Sequence, residues 1–147
     1  MSFLESLGQS GYVFALCLSA LGSAMGIGAA GMAALGAWKK CFLNNKNAPF
    51  ILIALVGLPL SQTIYGMILM NAIKGAPEST PHLLRFFAGL LGGLAIGASA
   101  LFQGRAAAVA SDALAETGKG FGNYIMVLGI IETVALFVMV FLMTTLK

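Results

Sequence analysis

Four stretches of this chain, 12–39, 49–74, 83–116 and 121–146, are each long and apolar enough to cross a bilayer. A membrane core of roughly 30 Å takes about 20 residues at a rise of about 1.5 Å each. Inside lipid the backbone must satisfy its own hydrogen bonds, so runs of this kind are read as helices. No stretch alternates apolar with polar residues at a period of two, which sets a barrel aside. Composition agrees: 59% of the 147 residues are hydrophobic and 9% charged. A soluble domain carries roughly 25% charge and needs it to face water. The fold class expected is therefore all-α, an integral membrane protein of four helices.

The connections are short, so successive helices are expected to pack as antiparallel neighbours. The first, 41–48, carries Asn44, Asn45 and Asn47; the second, 75–82, carries Pro77 and Pro81; the third centres on Gly118-Lys119-Gly120. The segment from Met1 to Gly11 has an acidic Glu5 and no basic residue, unlike a cleavable signal. Cys17 and Cys41 stand 24 positions apart, with neither a metal-ligand nor a disulfide pattern, and are read as free thiols. The net charge of +3 is not a nucleic-acid footprint, because the basic residues sit at helix ends. Lys39, Lys40, Lys46, Arg105 and Lys119 belong to one side, and Lys74, Arg85 and Lys147 to the other. This bias places the first and third loops in the cytoplasm and both termini outside. Trp38 with Lys39 and Lys40 reads as an interfacial anchor.

The chain repeats itself. Sliding it by 73 residues lays Phe14-Ala15 on Phe87-Ala88, Leu18 on Leu91, Gly31 on Gly104 and Ala33-Ala34 on Ala106-Ala107. The expected organisation is a single membrane domain made of a tandem duplicated helical hairpin, 12–74 followed by 83–146. The first and third helices carry rows of small residues: Gly22, Gly26, Ala30 and Ala34, then Gly89, Gly93 and Gly97. Small-residue rows let membrane helices approach closely. Slim helices inside thick ones would also tile a closed ring. Gly26-Ile27-Gly28-Ala29-Ala30-Gly31 matches a dinucleotide-binding pattern, but it lies within an apolar helix rather than after a strand, so helix packing is the better reading.

Glu132 is the only acidic residue in the interior of any of the four runs, since Asp112 and Glu116 lie at the very end of the third. A charge at mid-bilayer costs about 2.5–3.5 kcal/mol on insertion scales. No Lys or Arg shares its depth, which leaves a proton or a metal cation to neutralise it. In an antiparallel hairpin, residues equidistant from the turn lie at equal depth. Gln103 and Glu132 average to 117.5, on the third loop, so they should face each other. A slide of 72, which lays Gly57 on Gly129, pairs Glu132 with Leu60, and the slide of 73 pairs Gln103 with Ala30; these two average to 45, within the first loop, and neither is polar. In the second helix Leu58, Ser61, Gln62 and Tyr65 fall on one face at the depth of Glu132. Pro59 beside them removes an N–H and deprives the Leu55 carbonyl of its usual partner. Carboxylate, amide, hydroxyl and carbonyl oxygens are the ligands a hard cation prefers.

Each residue also has a plainer reading. Gln62 and Gln103 could be interhelical glue. Ser61 could bond back to a carbonyl four residues earlier, and Tyr65 could reach for water rather than donate to Glu132. Thr63 points away from the stripe and is read as structural, His82 as a loop residue, and Arg105 with Asp112 as a solvated pair.

The motifs Gly22-Ser23-Ala24-Met25-Gly26-Ile27-Gly28, Leu58-Pro59-Leu60-Ser61-Gln62-Thr63-Ile64-Tyr65-Gly66, Gln103-Gly104-Arg105-Ala106-Ala107-Ala108 and Glu132-Thr133 together resemble the proteolipid subunit of V-type and archaeal-type ATPases. The resemblance implies a ring of identical protomers in the lipid bilayer of a prokaryotic cell membrane, turning against stator and central-stalk subunits. Such a chain is no enzyme alone; it translocates ions for a complex that hydrolyses or makes ATP elsewhere. In sodium-transporting members a Leu carbonyl, a Thr hydroxyl, two Gln amides and a Glu bind Na⁺, and a Tyr bonds the Glu. Those roles fall on Leu58, Ser61, Gln62, Gln103, Glu132 and Tyr65. Ser61 stands where the sodium members carry Thr, and Leu60 where Gly is common. Ser keeps the hydroxyl, so Na⁺ is the expected cargo. A proton-carrying ring is the alternative within the family. A four-helix transporter or channel acting alone would need a polar pathway that the sequence does not show, and a purely structural role leaves Glu132 unexplained.

Overall fold

The computed structural model describes residues 2–147. Among them there are helices and short turns and no strand. Four helices are long and apolar enough to span a membrane: α1 (Phe3–Leu43), α2 (Leu52–Lys74), α3 (His82–Thr117) and α4 (Phe121–Thr145). The chain is a multi-pass membrane protein of all-α class.

The helices α3 and α4 end within a residue of the expected bounds, but α1 begins nine residues earlier. The apolar run starts at Tyr12, whereas the helix starts at a capping box: Ser2 Oγ accepts from the Glu5 N–H and the Glu5 carboxylate accepts from the Ser2 N–H. Hydropathy locates the lipid-crossing part of a helix and says nothing of where hydrogen bonding begins. At 41 residues, α1 is about 60 Å long and projects well beyond a bilayer core. The third connection turns on two left-handed glycines, Gly118 at φ 66° and Gly120 at φ 90°.

Where α1 and α3 meet, backbone lies on backbone, and the two helices run in the same direction. A methyl on Gly22 would land on Gly97, one on Gly104 would land on Gly26, and one on Gly89 would land on Gly11. Gly8 faces His82, Gly11 faces Arg85 and Gly26 faces Ala100, each pair 74 residues apart. Contacts across the seam join residues 74 to 79 apart, one to six more than the 73-residue interval of sequence similarity. Helix α2 packs on α1 and α3, and α4 on α3 and α2.

The buried side chains form two apolar clusters. One gathers Leu52, Leu55, Leu114 and Leu128 toward the first and third loops; the other gathers Leu69, Ile73, Ile96 and Met139 toward the termini. The outer faces stay apolar and exposed, as at Leu21, Met32 and Leu35 on α1 and Ile130, Phe137 and Phe141 on α4. Surfaces of this kind require lipid or other apolar protein as their solvent.

Two expectations are corrected at the helix ends. Asp112 does not pair with Arg105, which lies seven residues away on the same helix and sits 5.7 Å over the Phe102 ring. Asp112 takes Lys40 of α1 instead, at 3.0 Å, and Glu116 shares the same ammonium at 3.2 Å. The close approach of α1 and α3 brings that lysine within reach, which no reading along one helix could show. His82 is the first residue of α3 rather than a loop residue, packed where its backbone meets Gly8. Cys17 and Cys41 are both free, as expected.

Candidate functional site

Between the two apolar clusters lies a band of polar side chains. It begins in α2, where Pro59 changes the helix. Proline has no N–H to give and its ring crowds the carbonyl four residues back, so the chain tightens. Residues Leu58–Leu60 form a single 3₁₀ turn and α-helix resumes at Ser61. The Ser61 N–H then bonds the Leu58 carbonyl, which also accepts from Ser61 Oγ at 3.0 Å. The plainer reading of Ser61 expected such a back-bond one residue further away; the tighter turn shortens it.

From Ser61 the contacts run on through three helices. Ser61 Oγ also lies 3.1 Å from Gln62 Oε1, so its single proton is shared between two acceptors. Gln62 Nε2 donates to Gln103 Oε1 at 2.9 Å. Gln103 Nε2 donates to Glu132 Oε2 at 3.1 Å and to the Leu128 carbonyl at 3.0 Å. Tyr65 donates its hydroxyl proton to Glu132 Oε1 at 2.8 Å. Leu58, Ser61, Gln62, Tyr65, Gln103 and Glu132 are thus one connected network. Gln62 and Gln103 are both 0% exposed, whereas Glu132, Tyr65 and Ser61 are half-buried at its rim.

The arrangement has a definite chemistry. The two carboxylate oxygens each hold one donor, from α2 and from α3, which fixes the carboxyl in position. Gln103 has both its N–H groups and its oxygen engaged, so it cannot turn without breaking three bonds. No Lys or Arg takes part, and the salt bridges among the described residues are the two made by Lys40. Thr63 and Thr133 stand outside the network; Thr133 bonds back to the Ile130 carbonyl.

Ser99 is a contributor the sequence reading did not single out. Its Oγ donates to the Ile131 carbonyl at 2.8 Å, one residue before Glu132. It precedes Gln103 by one helical turn, so both side chains leave the same face of α3 and grip carbonyls three residues apart on α4. The available signal was this spacing of four from Gln103, hidden among many other small residues on α3.

Residues 86–144 match the family model of the ATP synthase C subunit. That stretch is less than half of the chain, and it takes in Ser99, Gln103 and Glu132 but none of the α2 residues. The hairpin similar to the ATP synthase C subunit is therefore the one bearing the carboxylate. No curated protein matches the chain.

Proposed function

We propose that this chain is the proteolipid protomer of a rotor ring in a V-type rotary ATPase, carrying Na⁺ through the membrane on Glu132. The observation that carries the reading is one carboxylate, held by donors from two other helices, in a polar band sealed by apolar clusters on either side. The similarity of residues 86–144 to the ATP synthase C subunit supports an ion-translocating role in a rotary complex. The oxygens of Leu58, Ser61, Gln62, Gln103 and Glu132 would hold the cation, and Tyr65 would keep the carboxylate aimed at it. These groups suit the task in kind, since all are hard oxygen donors with one negative charge among them. The cation neutralises Glu132, so the loaded site can face lipid at far lower cost than the bare carboxylate. Release needs a place where the empty carboxylate is met by water or a basic group, which a stator subunit would provide.

In this reading the partners are identical protomers in a closed ring, lipid, and the stator and central-stalk subunits, while ATP chemistry takes place elsewhere in the complex. The ring lies in the cell membrane with both termini outside and the first and third loops cytoplasmic. One observation favours a proton as cargo: the Gln62 and Gln103 oxygens already accept hydrogen bonds, so neither oxygen needs a cation to be satisfied.

The test is the rate at which a hydrophobic carbodiimide modifies Glu132 in purified membranes, with and without Na⁺, across pH. Protection by Na⁺ at fixed pH supports sodium coupling, and protection that follows pH alone supports the proton. A Glu132 that never reacts, against a Glu132→Gln control, would sink the rotor reading.

A further inference from the structure

Ser23 on α1 is 2% exposed and its hydroxyl has no hydrogen-bond partner. Ser19, one turn earlier on the same face, bonds back to the Ala15 carbonyl at 2.7 Å. Ser23 closes no such bond. A buried hydroxyl left unpaired carries a real free-energy penalty, so its place in the fold matters.

The packing of α1 against α2 fixes that place. The site of a Cβ on Gly66 lies 2.5 Å from the Ser19 Cβ, and that of a Cβ on Gly26 lies 3.1 Å from the Pro59 Cβ. Facing residues of these antiparallel helices have numbers adding to 85. Ser23 is one turn after Ser19, and Gln62 is one turn before Gly66. Ser23 therefore faces Gln62.

Gln62 has an unmet group of its own. Its Nε2 carries two N–H bonds, and the one partner it has is Gln103 Oε1. A cation drawn to the Gln103 oxygen takes one of its two lone pairs and repels the positive end of that N–H, so the bond weakens in the loaded state. The Nε2 group is fully buried, and a second acceptor for it is then worth more; the orphan oxygen at matching register is Ser23 Oγ. We propose that Ser23 is a positioning residue, accepting the Gln62 N–H in the cation-loaded state so that the Gln62 and Gln103 oxygens can both turn to the ion.

This inference rests on the sodium reading above, and the experiment separates the two. Carbodiimide modification of Glu132 is followed in membranes containing wild type, Ser23→Ala or Ser111→Ala. Ser111 is a second buried hydroxyl without a partner, 0% exposed, on α3 beyond the polar band, and serves as the packing control. Ser23→Ala is expected to raise the Na⁺ concentration for half protection about tenfold, the effect of one unmatched buried donor. Its pH profile without Na⁺ should stay that of wild type, and Ser111→Ala should behave as wild type throughout. Removing an unpaired hydroxyl takes away no bond, so a merely structural Ser23 predicts unchanged protection by Na⁺. That result, with wild type protected, overturns the role of Ser23 alone. An equal shift of the Na⁺-free pH profile overturns it too, since the whole site would then have moved. A wild type that Na⁺ does not protect removes the sodium reading and this inference together.

Discussion

Tyr65 of α2 and Glu132 of α4 share one hydrogen bond, 2.8 Å long, across 67 residues of sequence. With Gln103 supplying the other donor, the carboxylate is held from two sides. Tyr65→Phe keeps the ring and its packing while removing that donor. A hydrogen bond to a charged group contributes about 1.5–3 kcal/mol. The Na⁺ concentration that half-protects Glu132 from carbodiimide should therefore rise by about tenfold or more. An unchanged value would mean that the phenol does not hold the carboxylate in the loaded state.

Gln103 and Ser99 attach α4 to α3 at consecutive turns, through the Leu128 and Ile131 carbonyls. Ser99→Ala removes one bond beside Glu132 without touching the network itself. It should lower stability by about 1 kcal/mol, and Gln103→Leu should lower it further, because Gln62 then loses its partner as well. Thermal melting in detergent gives both values. A Ser99→Ala more damaging than Gln103→Leu would contradict the network as described.

Substitutions at the α1–α3 seam should separate sharply from glycines elsewhere. A methyl at Gly22 falls on the Gly97 backbone, which has no side chain to swing aside. Gly22→Ala should destabilise the bundle by about 1–3 kcal/mol or more, as overpacking does. Gly122, on α4, has open space around it, and Gly122→Ala should be neutral or slightly favourable in the same melting assay. Equal behaviour of the two variants would be incompatible with the seam.

The Lys40 cluster is solvent-exposed, and exposed ion pairs contribute little. Lys40→Met should leave the melting temperature unchanged within error at moderate salt. A clear drop would show that Asp112 and Glu116 cannot tolerate losing their shared cation.

Much of this structure is written in local patterns, and the exceptions share a cause. Bilayer thickness and hydropathy together give four helices, since few other folds can satisfy a backbone in lipid. The equal-depth argument puts Gln103 opposite Glu132 because a short hairpin leaves little freedom of register. The stripe from Leu58 to Tyr65 is legible because 3.6-residue periodicity is a property of one helix. What could not be read were relations set by helices meeting side by side. Lys40 reaches Asp112 and Glu116 through the α1–α3 contact, and Ser99 finds Ile131 through the rotation of α4 on α3. The early start of α1 was legible in Ser2 and Glu5, but an apolar-run criterion passes over a polar cap.

The seam between α1 and α3 also limits how the molecule can move. Rotamer changes let ordinary helix interfaces slip, and a contact made of glycine and alanine backbone has almost no rotamers to change. Nothing along it can act as a bearing. Sliding α1 past α3 by part of a turn would drive carbonyl into Cα at every step from Gly11 to Gly26. The pair behaves as a single spar, so any displacement of Glu132 relative to its surroundings is carried by the whole protomer or by the outer helices α2 and α4.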